Sequence, residues 1–269
     1  MSMRRSVILF LQKYHLYLVF RELYQIINPG RRHARKVNRE FYAGLISPGD
    51  LIYDVGANVG QTIESILAIG AKVISIEPNS HCQRLLHKRF RKHRDVKILG
   101  VALGANPGKA ILHFDGTEST ASLREDWPFP NTETQEVEVL TLDMVIAEYG
   151  YPKLLKVDVE GFELEVFHGL TKPIPIVYFE MLGHKMDQVE LILKRLSDIG
   201  TIDSINLVTG DNSRFYFDEW VEYEDFFDVL PEPIPVHANV IIRMSPVLHE
   251  PQMAMSGSVC DQTKDFGEE

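Results

Sequence analysis

A short aliphatic run at residues 51–55 breaks into Gly56-Ala57-Asn58-Val59-Gly60 and then into a helical pattern from Gln61. No other feature constrains the fold as strongly. Small residues between a strand and a helix let the main chain reverse sharply, and the free N–H groups at the helix start face whatever lies above the strand. The same grammar repeats downstream. Residues 73–77, 96–103, 154–158 and 176–181 are short, aliphatic and bounded by Gly, Pro, Asn or Asp, as buried strands are. Helical spacing fills the gaps at 61–69, 80–93, 161–169 and 187–199. The last of these aligns Val189, Ile192, Leu193, Leu196 and Ile199 on one face and stops at Gly200. Such alternation predicts an α/β protein: a mostly parallel, Rossmann-like sheet with helices on both faces, three layers in all.

Two stretches depart from the alternation. Residues 109–114 and 136–142 alternate apolar with polar side chains and are predicted as half-exposed antiparallel strands. Between them runs a long loop containing Trp127-Pro128-Phe129-Pro130, and long loops often serve as lids or binding segments. Further strands are predicted at 206–208, 214–217 and 239–244, before a polar, irregular tail. There is no internal repeat and no second domain.

Charge is unevenly placed. Residues 1–100 hold 17 of the 28 Lys/Arg but only 7 of the 38 Asp/Glu. Arg31, Arg32, Arg35, Lys36 and Arg39 form one basic cluster; Lys88, Arg89, Arg91, Lys92 and Arg94 form another. Such clusters attract phosphates or anionic surfaces, but a solvated helix face is the simpler reading. No zinc-finger, RRM or basic-zipper pattern accompanies them, so no nucleic-acid partner is expected. Residues 7–20 are apolar apart from Gln12, Lys13 and His15. They lack the unbroken core and cleavage site of a signal peptide and the charge-free length of a membrane span. An amphipathic helix packed on the domain is expected, with peripheral membrane contact the less favoured alternative. Two distant cysteines, Cys82 and Cys260, make neither a disulfide framework nor a zinc site, which points to a reducing, cytoplasmic setting.

The turn after the first strand invites a nucleotide-like ligand, and spacing narrows the choice. A dinucleotide fingerprint needs Gly at offsets 0, 2 and 5. Here Gly56 is followed by Asn58 at offset 2, Gly60 at 4 and Gln61 at 5, and no Gly-Lys-Ser/Thr follows as a phosphate-binding loop requires. Glu77 ends the second strand before Pro78, where a carboxylate can accept both hydroxyl protons of a ribose. Asp54, the Gly56/Asn58/Gly60 turn and Glu77 together form a ligand signature.

Asp54-Val-Gly-Ala-Asn-Val-Gly60, Glu77-Pro78, Thr141-Leu142-Asp143 and Lys156-Val-Asp-Val-Glu-Gly-Phe-Glu163 resemble the FkbM family of S-adenosylmethionine-dependent methyltransferases. The resemblance implies a class I methyltransferase fold, a seven-stranded sheet whose last strand is antiparallel, over residues 48–245. A helical segment (1–47) precedes it and a tail (246–269) follows. It implies S-adenosyl-L-methionine as cofactor and O-methylation of a small-molecule or glycan acceptor. In the implied arrangement the Gly56-Ala57-Asn58-Val59-Gly60 turn lies beneath the methionine part, and Asp54 accepts from its ammonium through water. Glu77, followed by Pro78, holds the ribose, while Ala102, Leu103 and Gly104 meet the adenine.

Methyl transfer to oxygen needs a group that takes the hydroxyl proton. Asp158, at the fourth strand's end, is the first candidate, followed by Glu160, Glu180 and His184; Asp158 also suits the cationic cofactor. Glu160 can instead cap the next helix, His184 can be an ordinary loop histidine, and Lys156 is expected to pair with a carboxylate. Asp158, Glu180 and His184 suit a divalent ion by type, but their spacing is not a compact ligand motif, and no metal is expected. Ser119, Thr120 and Ser122, with Trp127 and Phe129, can face the acceptor or form an ordinary polar loop. The alternative function is a degenerate cofactor-binding adaptor using the acidic-aromatic stretch 215–227 and the basic N-terminal segment as partner surfaces. The intact carboxylate and glycine set argues against it, as the glycine offsets argue against a nicotinamide oxidoreductase.

Overall fold

The computed structural model describes residues 29–114, 121–124, 133–182, 186–209, 214–233 and 237–247. First come α1 (Pro29–Ala43), β1 (Leu51–Val55), α2 (Gln61–Leu67), β2 (Lys72–Ile76), α3 (Ser80–Phe90) and β3 (Val96–Leu99). Four strands follow: β4 (Ala102–Leu103), β5 (Gly108–Phe114), β6 (Ala121–Ser122) and β7 (Glu133–Leu140). The chain then runs through α4 (Leu142–Tyr149), β8 (Leu154–Val157), α5 (Glu163–His168), β9 (Ile176–Leu182) and α6 (Met186–Ser197). It finishes with β10 (Thr201–Thr209), β11 (Arg214–Phe215) and β12 (His237–Ser245).

The main sheet has the order β11-β10-β12-β9-β8-β1-β2-β3. β3, β2, β1, β8 and β9 are parallel, and β12 enters antiparallel between β9 and β10. The expected mostly parallel sheet with an antiparallel last strand is therefore present, extended at its edge by the two-residue β11. Strand order reverses between β1 and β8, so the crevice of the fold opens at the carboxyl ends of those two strands.

Aliphatic side chains alternate across the sheet and bury both faces. Ile52, Val73, Leu154, Ile176 and Ile241 pack against Phe41 and Tyr42 of α1, Ile63 and Ile66 of α2, and Leu86 and Phe90 of α3. Tyr53, Val55, Leu155, Val157, Val177 and Phe179 pack on the other face against α4, α5 and α6 through Val145, Phe167, Leu193 and Leu196. The three expected layers are thus α1–α3, the sheet, and α4–α6.

Three local expectations change. Residues 96–103 are not one buried strand. β3 is a partly exposed edge strand, the chain turns at Gly100, and β4 joins a separate four-stranded sheet of order β4-β7-β5-β6. Sequence hydrophobicity runs straight across that break because both sides pack, each on a different sheet. Within the small sheet β5 and β7 pair antiparallel from Gly108↔Val139 to Phe114↔Glu133, as alternation predicts, with Leu112, Val137 and Val139 turned inward. Finally, β7 ends at Leu140 instead of 142, and a helix absent from the sequence reading follows. Thr141 caps it, its hydroxyl accepting from the Met144 N–H at 3.2 Å.

The expected helix over 7–20 and the tail from 248 onward lie outside the described residues. Among the described residues no helix is long and apolar enough to cross a membrane.

Candidate functional site

The turn after β1 is held from three sides. Gly56, Asn58 and Gly60 all have positive φ (77°, 50° and 79°). Gly56 has a second reason to be glycine: a Cβ there would overlap the Asp158 carbonyl oxygen. Its N–H and that of Ala57 both donate to the Ile76 carbonyl, at 3.0 and 3.2 Å, which ties β1 to β2 beneath the turn. A Cβ at Gly60 would press 2.5 Å from Phe90 Cε2, so α3 packs directly under the turn. Arg89 of α3 donates to the carbonyls of Val59 (2.7 Å) and Gly60 (3.2 Å) and pairs with Glu64 of α2. Its side chain is only 7% exposed, which corrects the reading of this charge run as wholly solvated. The available signal was helical spacing: Arg89 stands three residues after Leu86, beside the buried stripe of Cys82, Leu86 and Phe90.

Above the turn lies a cavity of about 240 Å³. Gly56, Asn58, Glu77, Pro78, Ala102 and Leu103 line it, as do Asp158, Glu160 and Glu180 across the gap. Residues drawn from β1, β2, β4, β8 and β9 thus meet at one crevice. Asp54, Ala57 and Gly60 do not reach the wall; the first two are buried one layer behind it. Asn79, Cys82, Leu112, Leu123 and Phe162 also face the cavity, a place the sequence did not suggest for them. Ser122, a loop candidate, lies in β6 on this wall, where its hydroxyl donates to the Glu160 carbonyl at 3.2 Å. Ser119, Thr120, Trp127, Phe129 and His184 lie outside the described residues.

Glu77 is anchored by main chain. One carboxylate oxygen accepts the Asn58 N–H and the other the Asn79 N–H, both at 2.8 Å. Each oxygen keeps a second lone-pair site, so the carboxylate can still accept from a ligand in the cavity. Burial pushes its pKa up to about 7 against the pull of those two N–H groups. The next turn is clamped at a distance: the Pro78 carbonyl accepts from Gln83 Nε2 at 2.9 Å and from Gln135 Nε2 of β7 at 3.1 Å.

The opposite wall is acidic, with one cation behind it. Lys156 Nζ lies 2.7 Å from Asp158 Oδ2 and 3.9 Å from Asp54 Oδ1. Burial opposes the Lys156 charge, but Asp158 and Asp54 outweigh it and hold the ammonium above its ordinary range. The expected carboxylate pairing of Lys156 is therefore present. Burial raises Asp54 to about 6, with Lys156 pulling it down. Glu160, at the positive φ of 57°, is raised to about 7 by burial and then by Asp158. Burial, then Asp158 and Glu160, raise Glu180 to about 8. Glu163 is not on the wall; it caps the loop below, accepting the N–H of Val159 (3.0 Å) and Gly161 (3.2 Å). Glu160 does not cap α5, whose N-cap position is Phe162 and which has no side-chain cap. Among the described residues no three His, Cys, Asp or Glu side chains form a metal-binding group.

These raised carboxyls set the pH response of the ligand-free protein. Each holds its proton in the folded state above the range near 4 where the unfolded chain releases it, so the folded state binds more protons between about pH 4 and 8. Stability is then lost as pH rises through the folded values. The melting temperature is expected to fall from about pH 6 to 8 and to fall less in Glu180→Gln. A flat or rising curve in the parent protein would contradict the burial of these groups.

Residues 54–224 match the family described as the methyltransferase FkbM domain. A curated relative, hexuronic acid methyltransferase AglP of Haloferax volcanii, is 30% identical over 133 residues. The matched stretch is 48% of this chain and 54% of AglP, about half the length of that relative. Among solved structures, a precorrin-6y C5,15-methyltransferase from Geobacter metallireducens aligns with TM-score 0.41 and 11% identity, covering 78% of this chain and 86% of that one. A TehB-like SAM-dependent methyltransferase from Corynebacterium glutamicum aligns with TM-score 0.43 and 8% identity, covering 78% and 88%.

Proposed function

The chain belongs to the FkbM methyltransferase family, and on that premise we propose that it moves the methyl group of S-adenosylmethionine to a hydroxyl oxygen of a small molecule or glycan. One observation carries the reading. The crevice at the strand-order reversal has bare main chain and an anchored carboxylate on one wall and three carboxyl side chains on the other. An acidic crevice suits a ligand whose sulfonium and ammonium are both positive, and it does not suit a pyrophosphate. The name of the relative AglP supports a sugar acid or its glycoside as the acceptor class. The wide spacing of Cys82 and Cys260 in the sequence supports a cytoplasmic setting.

When bound, the cofactor supplies an electrophilic methyl group on sulfur. Gly56 leaves room for it above the turn, and Glu77 accepts its ribose hydroxyls. Asp158, with 36% of its side chain exposed, takes the acceptor proton. Lys156 orients that carboxylate through its 2.7 Å contact. Glu160 and Glu180, raised to about 7 and 8, keep protons near neutrality and can donate hydrogen bonds to acceptor oxygens. Asp54 acts from behind the wall, through Lys156.

Two measurements test this. Glu77→Ala is expected to weaken S-adenosylmethionine binding by about 1–3 kcal/mol in calorimetry, because charge-assisted hydrogen bonds are lost. Unchanged affinity removes Glu77 from the cofactor site. Incubating the protein with S-adenosylmethionine and a panel of hexuronic acids and their glycosides should yield S-adenosylhomocysteine and an O-methyl ether. Cofactor binding without turnover on any hydroxyl acceptor would favour the adaptor reading.

A further inference from the structure

The uneven charge seen along the sequence is sorted by layer in the fold. α1, α2 and α3 with the following turn to Arg94 carry eleven Lys/Arg against two Glu, Glu40 and Glu64. The opposite layer, α4 to α6, carries six Asp/Glu against two Lys/Arg. Within the basic layer Glu64 is consumed by Arg35 at 2.8 Å and by Arg89, and Glu40 lies 3.7 Å from Lys36. Lys36 and Arg39 of α1 and Arg84, Lys88, Arg91, Lys92 and Arg94 at α3 are all exposed. They point away from the sheet, because Phe41, Tyr42, Leu86 and Phe90 on the same helices pack against it. Folding therefore places the exposed members of both basic clusters on the same side of the sheet.

We propose that this layer docks on an anionic lipid bilayer. Charge complementarity names an anionic partner, and the chain joined to the layer selects a membrane among them. Residues 1–28 lead directly into α1. They include Arg4 and Arg5 and the stretch 7–20, apolar except for Gln12, Lys13 and His15. An apolar stretch that precedes a polybasic one in the chain supplies two weak signals whose sum holds a protein at a headgroup boundary, where each alone gives marginal binding. A nucleic acid would instead want aromatic side chains interleaved with the charges for base stacking. None of the helices of the layer carries an exposed aromatic: Tyr151, Tyr216 and Phe227 lie elsewhere, and Phe215 is turned against Phe41 of α1 with ring centroids 5.3 Å apart. The crevice opens at the carboxyl ends of the central strands, away from the outer face of α1–α3, so docking by that face leaves it clear.

The test uses the full chain and co-sedimentation with two vesicle types, phosphatidylcholine alone and phosphatidylcholine with about one third phosphatidylglycerol. Sedimentation with the anionic vesicles only, falling as salt rises, is expected. Reversing Lys88, Arg91, Lys92 and Arg94 to Glu should lower the partition coefficient at least about tenfold, given the attraction of each basic residue near such a surface. The pair Lys36→Glu and Arg39→Glu should lower it by a smaller factor. Both variants should keep the parent melting temperature and S-adenosylmethionine affinity, since none of these side chains lies in the core or the crevice. The proposal is overturned by equal sedimentation with both vesicle types, by none with either, or by binding that survives both reversals. Salt-sensitive capture of single-stranded RNA with no vesicle binding would also overturn it.

Discussion

Asp158→Asn should lower turnover by about 10²- to 10⁴-fold, the range that a positioned proton acceptor contributes. It should change S-adenosylmethionine affinity by no more than about threefold, under ~0.7 kcal/mol. The asymmetry follows from geometry. The asparagine oxygen can still accept from Lys156, whose Nζ now sits 2.7 Å from Asp158 Oδ2, so the wall keeps its shape. The Gly56 backbone and Glu77, which line the same cavity, are untouched. What disappears is a group at the mouth able to take a proton. Single-turnover formation of S-adenosylhomocysteine, with any acceptor that supports the parent protein, reads the first quantity; calorimetry reads the second. Undiminished turnover would pass the role to Glu160 or Glu180, which share the wall. Equal losses in both quantities would make Asp158 a cofactor ligand only.

How much of this was legible in the sequence depends on whether the deciding partner is near in the chain. Gly56 and Glu77 stand out because strand, turn and strand end are local patterns, and their chemistry follows from position alone. The switch point follows once the strands alternate with helices. Arg89 is different. Its neighbours Lys88, Arg91 and Lys92 are exposed, and only the tertiary contact with Glu64 and the turn carbonyls separates it from them. Gln135 clamps Pro78 from 57 residues away, and no local pattern announces such a contact. The break at Gly100 is hidden because aliphatic residues continue on both sides of a change of sheet. Asp54 shows the subtlest shift. As a carboxylate near a strand end it looks aimed at the ligand, but the pleat sends it to the same face as Ile52, beside Lys156 on β8.

That placement makes Lys156→Met the most destabilising single change expected at the site, about 3–5 kcal/mol, the range for removing one partner of a buried ion pair. Asp54 is fully buried, and neither of its carboxylate oxygens has a hydrogen-bond partner among the described residues. Its compensation is the nearby ammonium alone. Without it, Asp54 is a buried carboxylate with no cation beside it, and the cheaper course is for it to take up a proton. The folded pKa of Asp54 then climbs beyond its present value of about 6. A carboxyl raised in this way stabilises the folded state below its unfolded range and costs stability as pH rises through the folded value. The penalty of Lys156→Met should therefore be largest above about pH 7 and shrink towards about pH 5, in denaturant titrations run at both ends. A penalty independent of pH would mean that the side chain acts by packing. Adding Asp54→Asn to Lys156→Met separates the two causes further. It should restore part of the lost stability at high pH, because the charge left stranded by the first substitution is removed by the second.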